Sequence, residues 1–191
     1  MKIRIGFLAI MLALSLLISR SLFALALLIA ALTHELGHIL MARALKIRLR
    51  ECTIGIYGAG LRPSEGIYSY TQEILLCFSG PLANLLLGSI GLWLGSYSSS
   101  ELLSYFTLSS FVLAGMNLLP IRDFDGGRIL LSLLSLWFGP TVSLRILSVL
   151  SFLFAFLLWG ISLYLLIRHA ASLSLFIFSL SLFFRIFMAE V

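Results

Sequence analysis

Long apolar runs broken by short polar stretches dominate this chain. Apolar side chains fill residues 3–19, 22–45, 71–95, 102–119, 141–167 and 172–188, and most of the charge falls in or beside the breaks. A helix rises about 1.5 Å per residue and a bilayer's hydrocarbon layer is roughly 30 Å thick, so each run has about the length of a membrane-crossing helix. The pattern predicts an all-α polytopic membrane protein with about six transmembrane helices, forming one integral-membrane domain over residues 1–191. A further apolar piece, 129–139, is too short to span alone and is expected to lie at the interface or to re-enter.

The segment after the second run breaks this habit. Lys46, Ile47, Arg48, Leu49 and Arg50 alternate polar and apolar with the period of a strand, and Gly55, Gly58 and Gly60 punctuate the next ten residues. A short β-ribbon or re-entrant loop is expected here. It has two readings of equal weight: a connecting hairpin, or an edge strand that captures an extended substrate segment by backbone hydrogen bonds.

Composition narrows the class. Of the 191 residues 61% are hydrophobic and 11% charged, with a mean hydropathy of +1.12, well outside the range of soluble domains. The net charge of +5 does not indicate nucleic acid, because the basic residues sit at the ends of apolar runs, where they act as topology signals and contacts to anionic lipid. Of the thirteen Lys and Arg residues, only Arg20 and Arg168 fall on one side of the expected membrane. Both termini are therefore expected in the cytoplasm. Lys2 and Arg4 ahead of an apolar stretch resemble a signal peptide, but no clear cleavage site comes after it, so this stretch reads as the first span. Cys52 and Cys77 lack metal-binding or disulfide spacing and read as buried thiols.

Within the second run stand His34, Glu35 and His38, an H-E-x-x-H motif. Charged and polar groups inside a membrane span cost on the order of a few kcal/mol each unless paired. Residues four apart share a helical face, so His34 and His38 can aim imidazole nitrogens at one ion, while Glu35, turned by about 100°, reaches a water on that ion. Glu35 is thus expected as the base and not as a ligand. From the helical rise, the ion would lie about 10–16 Å below the cytoplasmic surface. The plain alternative is that these residues hydrogen-bond within the helix bundle, with Gly37 allowing close approach.

A catalytic zinc needs a third protein ligand. Asp125 is the candidate, in a stretch running from Asn117 through Pro120 to Gly126 and Gly127, whose helix breakers permit irregular backbone. Read from the residues alone, a solvated interfacial turn carrying Asp123 and Asp125 is as good an account.

The two motifs together resemble the site-2 protease family of intramembrane zinc metalloproteases, peptidase family M50, and especially its bacterial branch related to the stage IV sporulation protease. His34-Glu35-Leu36-Gly37-His38 matches one family signature, and Asn117, Pro120, Asp125 and Gly126 match the Asn-x-x-Pro-x-x-x-x-Asp-Gly signature. A third family-like element, Ser79 to Asn84, lies between them. The resemblance implies one catalytic Zn2+ held by His34, His38 and Asp125, Glu35 as the activator of water, and Asn117 as a residue that holds substrate. Asn84 either approaches the substrate or packs against a helix, with packing favoured. Relatives often carry Pro two places before the ligand Asp, where this chain has Asp123, so Asp123 stays open as the ligand. Neither the CBS tail of the sporulation branch nor a PDZ insertion is expected.

The function implied is hydrolysis of a peptide bond in a membrane-associated protein near the cytoplasmic leaflet. A sporulation sigma-factor precursor is the most specific substrate the resemblance offers, and a membrane regulatory protein is left open as a further partner. Two other classes stay in view: a non-catalytic membrane scaffold that keeps the metal for folding, and a divalent-metal transporter using the same three residues. Two imidazoles and a carboxylate also suit iron or cobalt.

Overall fold

A computed structural model describes residues 2–5, 21–47, 49–55, 58–63, 69–169 and 173–190. The chain divides into two compact units, Met1–Leu118 and Leu119–Val191.

The first unit contains strand β1 (Lys2–Ile5), helix α1 (Leu22–Ala44), strands β2 (Leu49–Gly55) and β3 (Gly58–Pro63), and helices α2 (Tyr70–Gly95) and α3 (Glu101–Asn117). Along α1 the buried positions Ala26, Ala30, His34, His38 and Ala42 recur every fourth residue, while Leu32, Leu36 and Leu40 between them are exposed. A row of this period is a packing ridge, and small side chains in it let neighbouring helices approach closely, which in lipid is a main source of association. Helix α2 answers with its own small buried row, Gly80, Asn84, Gly88 and Gly91. A Cβ on Gly37 would lie 2.6 Å from the Ser79 carbonyl oxygen, so α1 and α2 touch backbone to backbone at this level. A Cβ on Gly91 would overlap the Thr107 hydroxyl of α3.

Local chemistry fixes the ends of these helices. Lys46 takes a left-handed conformation (φ 55°) after α1. The amides of Lys46 and Ile47 then donate to the Arg43 and Ala42 carbonyls at 3.1 and 2.9 Å, the pairing of a Schellman stop. Helix α2 starts at a capping box, in which the Gln72 amide donates to the Ser69 hydroxyl at 3.2 Å and the Ser69 amide donates to the Gln72 side-chain oxygen at 3.0 Å.

The strands form one sheet in the order β1-β2-β3. Strand β1 pairs parallel to β2, with Lys2 opposite Glu51, and β2 pairs antiparallel to β3, with Gly55 opposite Gly58. A helix starting at Ile3 was expected, but Lys2–Ile5 are extended. Lys-Ile-Arg-Ile alternates with period two, and the edge of β2 supplies the partners that this backbone needs. The rest of the expected first span, 6–19, lies outside the described residues.

The second unit holds helix α4 (Asp125–His169) and helix α5 (Leu173–Glu190). The expected short piece 129–139 and the span 141–167 are two helical parts of α4, separated by a sharp bend at Gly139, whose φ of 75° and ψ of 163° leave the helical region. Pro140 accounts for the bend, since proline disfavours a helical conformation in the residue before it. A cluster of Phe152, Phe156, Trp159 and Phe183 joins α4 to α5, with the Trp159 and Phe183 rings stacked at 5.8 Å. A hydrogen bond of 2.6 Å between the Ser162 and Ser179 hydroxyls adds to it.

Among the described residues three helical stretches, Leu22–Ala44, Tyr70–Gly95 and Asp125–Arg168, are long and apolar enough to cross a membrane. Helix α3 has 17 residues, one fewer than the run expected there, and α5, with 18, covers nearly all of the expected 172–188.

Candidate metal centre

The four-residue ridge of α1 brings its two histidines to one place. His34 and His38 are each 5% exposed, and their Nε2 atoms lie 3.2 Å apart with the rings nearly perpendicular at 83°. His38 Nδ1 lies 2.7 Å from the Leu76 carbonyl oxygen of α2. A carbonyl only accepts, so Nδ1 carries the hydrogen, and Nε2 of the neutral ring is left with a lone pair facing His34. The Ser79 hydroxyl donates to the same carbonyl at 2.6 Å and approaches His38 Nδ1 at 3.4 Å, which holds the ring from a second side.

Space at the two nitrogens comes from Gly80. A Cβ there would overlap His38 Nε2 and stand 2.8 Å from His34 Nε2, so any larger residue would fill the hollow that the two nitrogens face. Two buried imidazoles with converging Nε2 atoms, one locked by a backbone carbonyl and both facing a glycine hollow, suit a divalent ion. Metal-ligating histidines characteristically use their other ring nitrogen in this way. Glu35, next to His34 and partly exposed, is carried on a different face of α1.

The remaining residues singled out in the sequence fall in three places. Asn84 is fully buried, with Nδ2 3.4 Å from His34 Nδ1 and Oδ1 2.8 Å from the Thr33 hydroxyl. Its side chain thus lies in the contact between α1 and α2, beside His34. Asn117 closes α3, where its amide group donates to the Leu113 carbonyl at 3.0 Å.

In the second unit Asp125 is the first residue of α4, where a carboxylate is favoured by the unpaired amides of the first turn. Asp123 is held differently, in an ion pair with Arg185 at 3.2 Å. The turn before α4 is pinned by the Arg122 amide donating to the Ser151 hydroxyl at 2.9 Å and by burial of Ile121 and Phe124. A Cβ on Gly127 would overlap the Ile121 carbonyl, so glycine is required beneath this turn.

Sequence reasoning missed Leu76, Ser79, Gly80 and Thr33. Leu76 acts through its backbone carbonyl, which leaves no trace in residue type. Gly80 and Ser79 stand within the Ser79–Asn84 element, whose resemblance to the family marked the place without revealing the role.

Comparison with known proteins agrees with this arrangement. The profile of the Peptidase M50B-like family matches residues 7–187. Over 127 residues the chain is 28% identical to a zinc metalloprotease of Methanocaldococcus jannaschii, an alignment covering 62% of this chain and 36% of that protein. It is 32% identical over 135 residues to stage IV sporulation protein FB of Bacillus subtilis, covering 68% of this chain and 46% of that protein. The matched stretch thus makes up less than half the length of either relative. In fold it is similar to the solved site-2 protease from Methanocaldococcus jannaschii, with a TM-score of 0.71 at 22% identity over 97% of this chain and 89% of that one. Three long apolar helices together with these relatives mark an integral membrane protein. A family profile covering nearly the whole chain, two family motifs and a buried histidine pair lead to one assignment: the chain belongs to the Peptidase M50B-like family.

Proposed function

We propose that this chain is an intramembrane zinc metalloprotease, hydrolysing a peptide bond of a membrane-associated protein near the cytoplasmic leaflet. His34, His38 and Asp125 are its metal ligands and Glu35 its base. The observation that carries this reading is the pair of buried Nε2 atoms 3.2 Å apart, with the His38 ring locked by the Leu76 carbonyl. Asp125 is preferred to Asp123 as the third ligand because the Asp123 carboxylate is engaged by Arg185. Zinc is supported by the name of one relative and by the two-histidine, one-carboxylate donor set, which suits a catalytic zinc.

When bound, the ion supplies Lewis acidity and a water whose pKa is lowered toward about 7. With the ion in place, Glu35 would accept the proton of an attacking water and return it to the leaving amine nitrogen. The buried ridge of α1 keeps the two imidazoles fixed while this occurs, so the ligand geometry need not reorganise during the reaction. Asn117 is assigned to holding the substrate. Strand β3 lies at the edge of the sheet order β1-β2-β3, which supports a role in receiving an unwound substrate segment. A sporulation substrate such as a sigma-factor precursor is supported by the similarity to a sporulation protein, and a cytoplasmic opening of the site by the bias of Lys and Arg.

The test uses purified protein in lipid nanodiscs with a membrane-tethered reporter substrate. Wild type is expected to cleave it, to lose cleavage on chelation and to regain it with stoichiometric zinc. Glu35→Gln should bind zinc normally and lose cleavage by several orders of magnitude. Asp125→Asn should lose zinc, and Asp123→Asn should keep it. Zinc flux through proteoliposomes without cleavage of any membrane substrate would replace this reading with a transporter.

A further inference from the structure

We infer that Asn84 is a positioning residue that sets which nitrogen of His34 carries the proton, and so holds that imidazole ready to bind metal. The inference deepens the reading of the metal centre and rests on it. The Thr33 hydroxyl oxygen lies 2.8 Å from the Ala30 carbonyl oxygen and 2.8 Å from the side-chain amide of Asn84. A hydroxyl has one hydrogen, and the Ala30 carbonyl can only accept, so that hydrogen goes to Ala30. The contact with Asn84 is then stable only if Asn84 donates, which turns its NH2 toward Thr33. A half-turn of the amide exchanges oxygen and nitrogen with almost no change of shape.

That half-turn has a consequence 3.4 Å away, on the other arm of the amide. With NH2 on Thr33, the Asn84 oxygen faces His34 Nδ1 and accepts its N–H. Nε2 of His34 is then a lone pair, like Nε2 of His38, whose other nitrogen is held by the Leu76 carbonyl. Two lone pairs 3.2 Å apart repel each other and are complementary to a cation. The opposite orientation gives the opposite result. Asn84 would donate to Nδ1, Nε2 of His34 would carry the hydrogen and donate to His38, and the imidazole pair would close on itself with no site for metal. It would also leave an oxygen–oxygen contact at Thr33 of 2.8 Å without a hydrogen. One hydroxyl on α1, bonded to its own helix backbone, thereby decides the metal competence of the next residue through an amide on α2.

Replacing Asn84 tests this. Asn84→Asp keeps an oxygen acceptor for Nδ1–H, whereas Asn84→Leu keeps the size and removes it. Zinc affinity, read by competition with a chromogenic chelator, is expected to fall about 10–100-fold in Asn84→Leu and to change little in Asn84→Asp. Independently of metal, 15N spectra of histidine-labelled, metal-free wild type should show His34 protonated at Nδ1, and Asn84→Leu should lose that preference. Should Asn84→Leu fail to fold, Thr33→Val against Thr33→Ser gives the same comparison, with loss of the Nδ1 preference only in the valine variant. Unchanged zinc affinity and an unchanged histidine spectrum in Asn84→Leu would overturn the inference, as would Nε2 protonation of His34 in the wild type. A wild type that shows the Nδ1–H form but binds no zinc would instead refute the proposed metal centre.

Discussion

At the scale of single residues, the proposed metal centre depends as much on what is missing at position 80 as on the imidazoles themselves. Alanine there would be a better helix former than glycine by roughly 1 kcal/mol. Its methyl group would nevertheless occupy the hollow against His38 Nε2. Gly80→Ala is therefore expected to fold and to bind zinc at least about tenfold more weakly, the lower end of what loss of a supporting contact does, measured by chelator competition alongside thermal unfolding. A variant that kept full zinc affinity would show that the hollow is not where the ion sits. The motif residues His34, Glu35 and His38 were legible in the sequence because the spacing of four is itself a statement about helical faces. The hydrogen-bond partners were not. A backbone carbonyl such as Leu76 looks the same in every sequence, and Asn84 was read as packing or substrate contact because its proximity to His34 is a matter of how two helices register.

At the scale of elements, apolar periodicity located the helices well and their interruptions less well. Helices α1, α2 and α3 lie close to the expected runs 22–45, 71–95 and 102–119. Within α4 the expected break between 129–139 and 141–167 falls at Gly139, which leaves the helical conformation ahead of Pro140, and the second part follows the first without a loop. Strand β1 was hidden inside an apolar run, where its period-two alternation was outweighed by length. The turn before α4 makes its own prediction. Gly127 lies under the Ile121 carbonyl, so Gly127→Ala must push the turn away from the start of α4. Overpacking of this kind typically costs about 1–3 kcal/mol. The expected result is a lower unfolding temperature in detergent and, with Asp125 as the proposed third ligand, weaker zinc binding. Gly126→Ala serves as the neighbouring comparison.

At the scale of the whole molecule, hydropathy, charge and family membership agree on an integral membrane protein, and the distribution of Lys and Arg predicts its orientation. A C-terminal fluorescent-protein fusion should be bright and a C-terminal alkaline phosphatase fusion inactive in a bacterial host. The reverse pattern would place the proposed site on the other side of the bilayer. The linear order of residues was enough to determine class, the helical face shared by His34 and His38, and the presence of two family motifs, because these depend on composition and on the fixed geometry of one helix. The tertiary structure alone decided which α2 groups hold the imidazoles, that Gly80 opens the hollow beside them, and that Asp123 is tied to Arg185. Those facts come from contacts between residues far apart in the chain, and no local rule of sequence contains them.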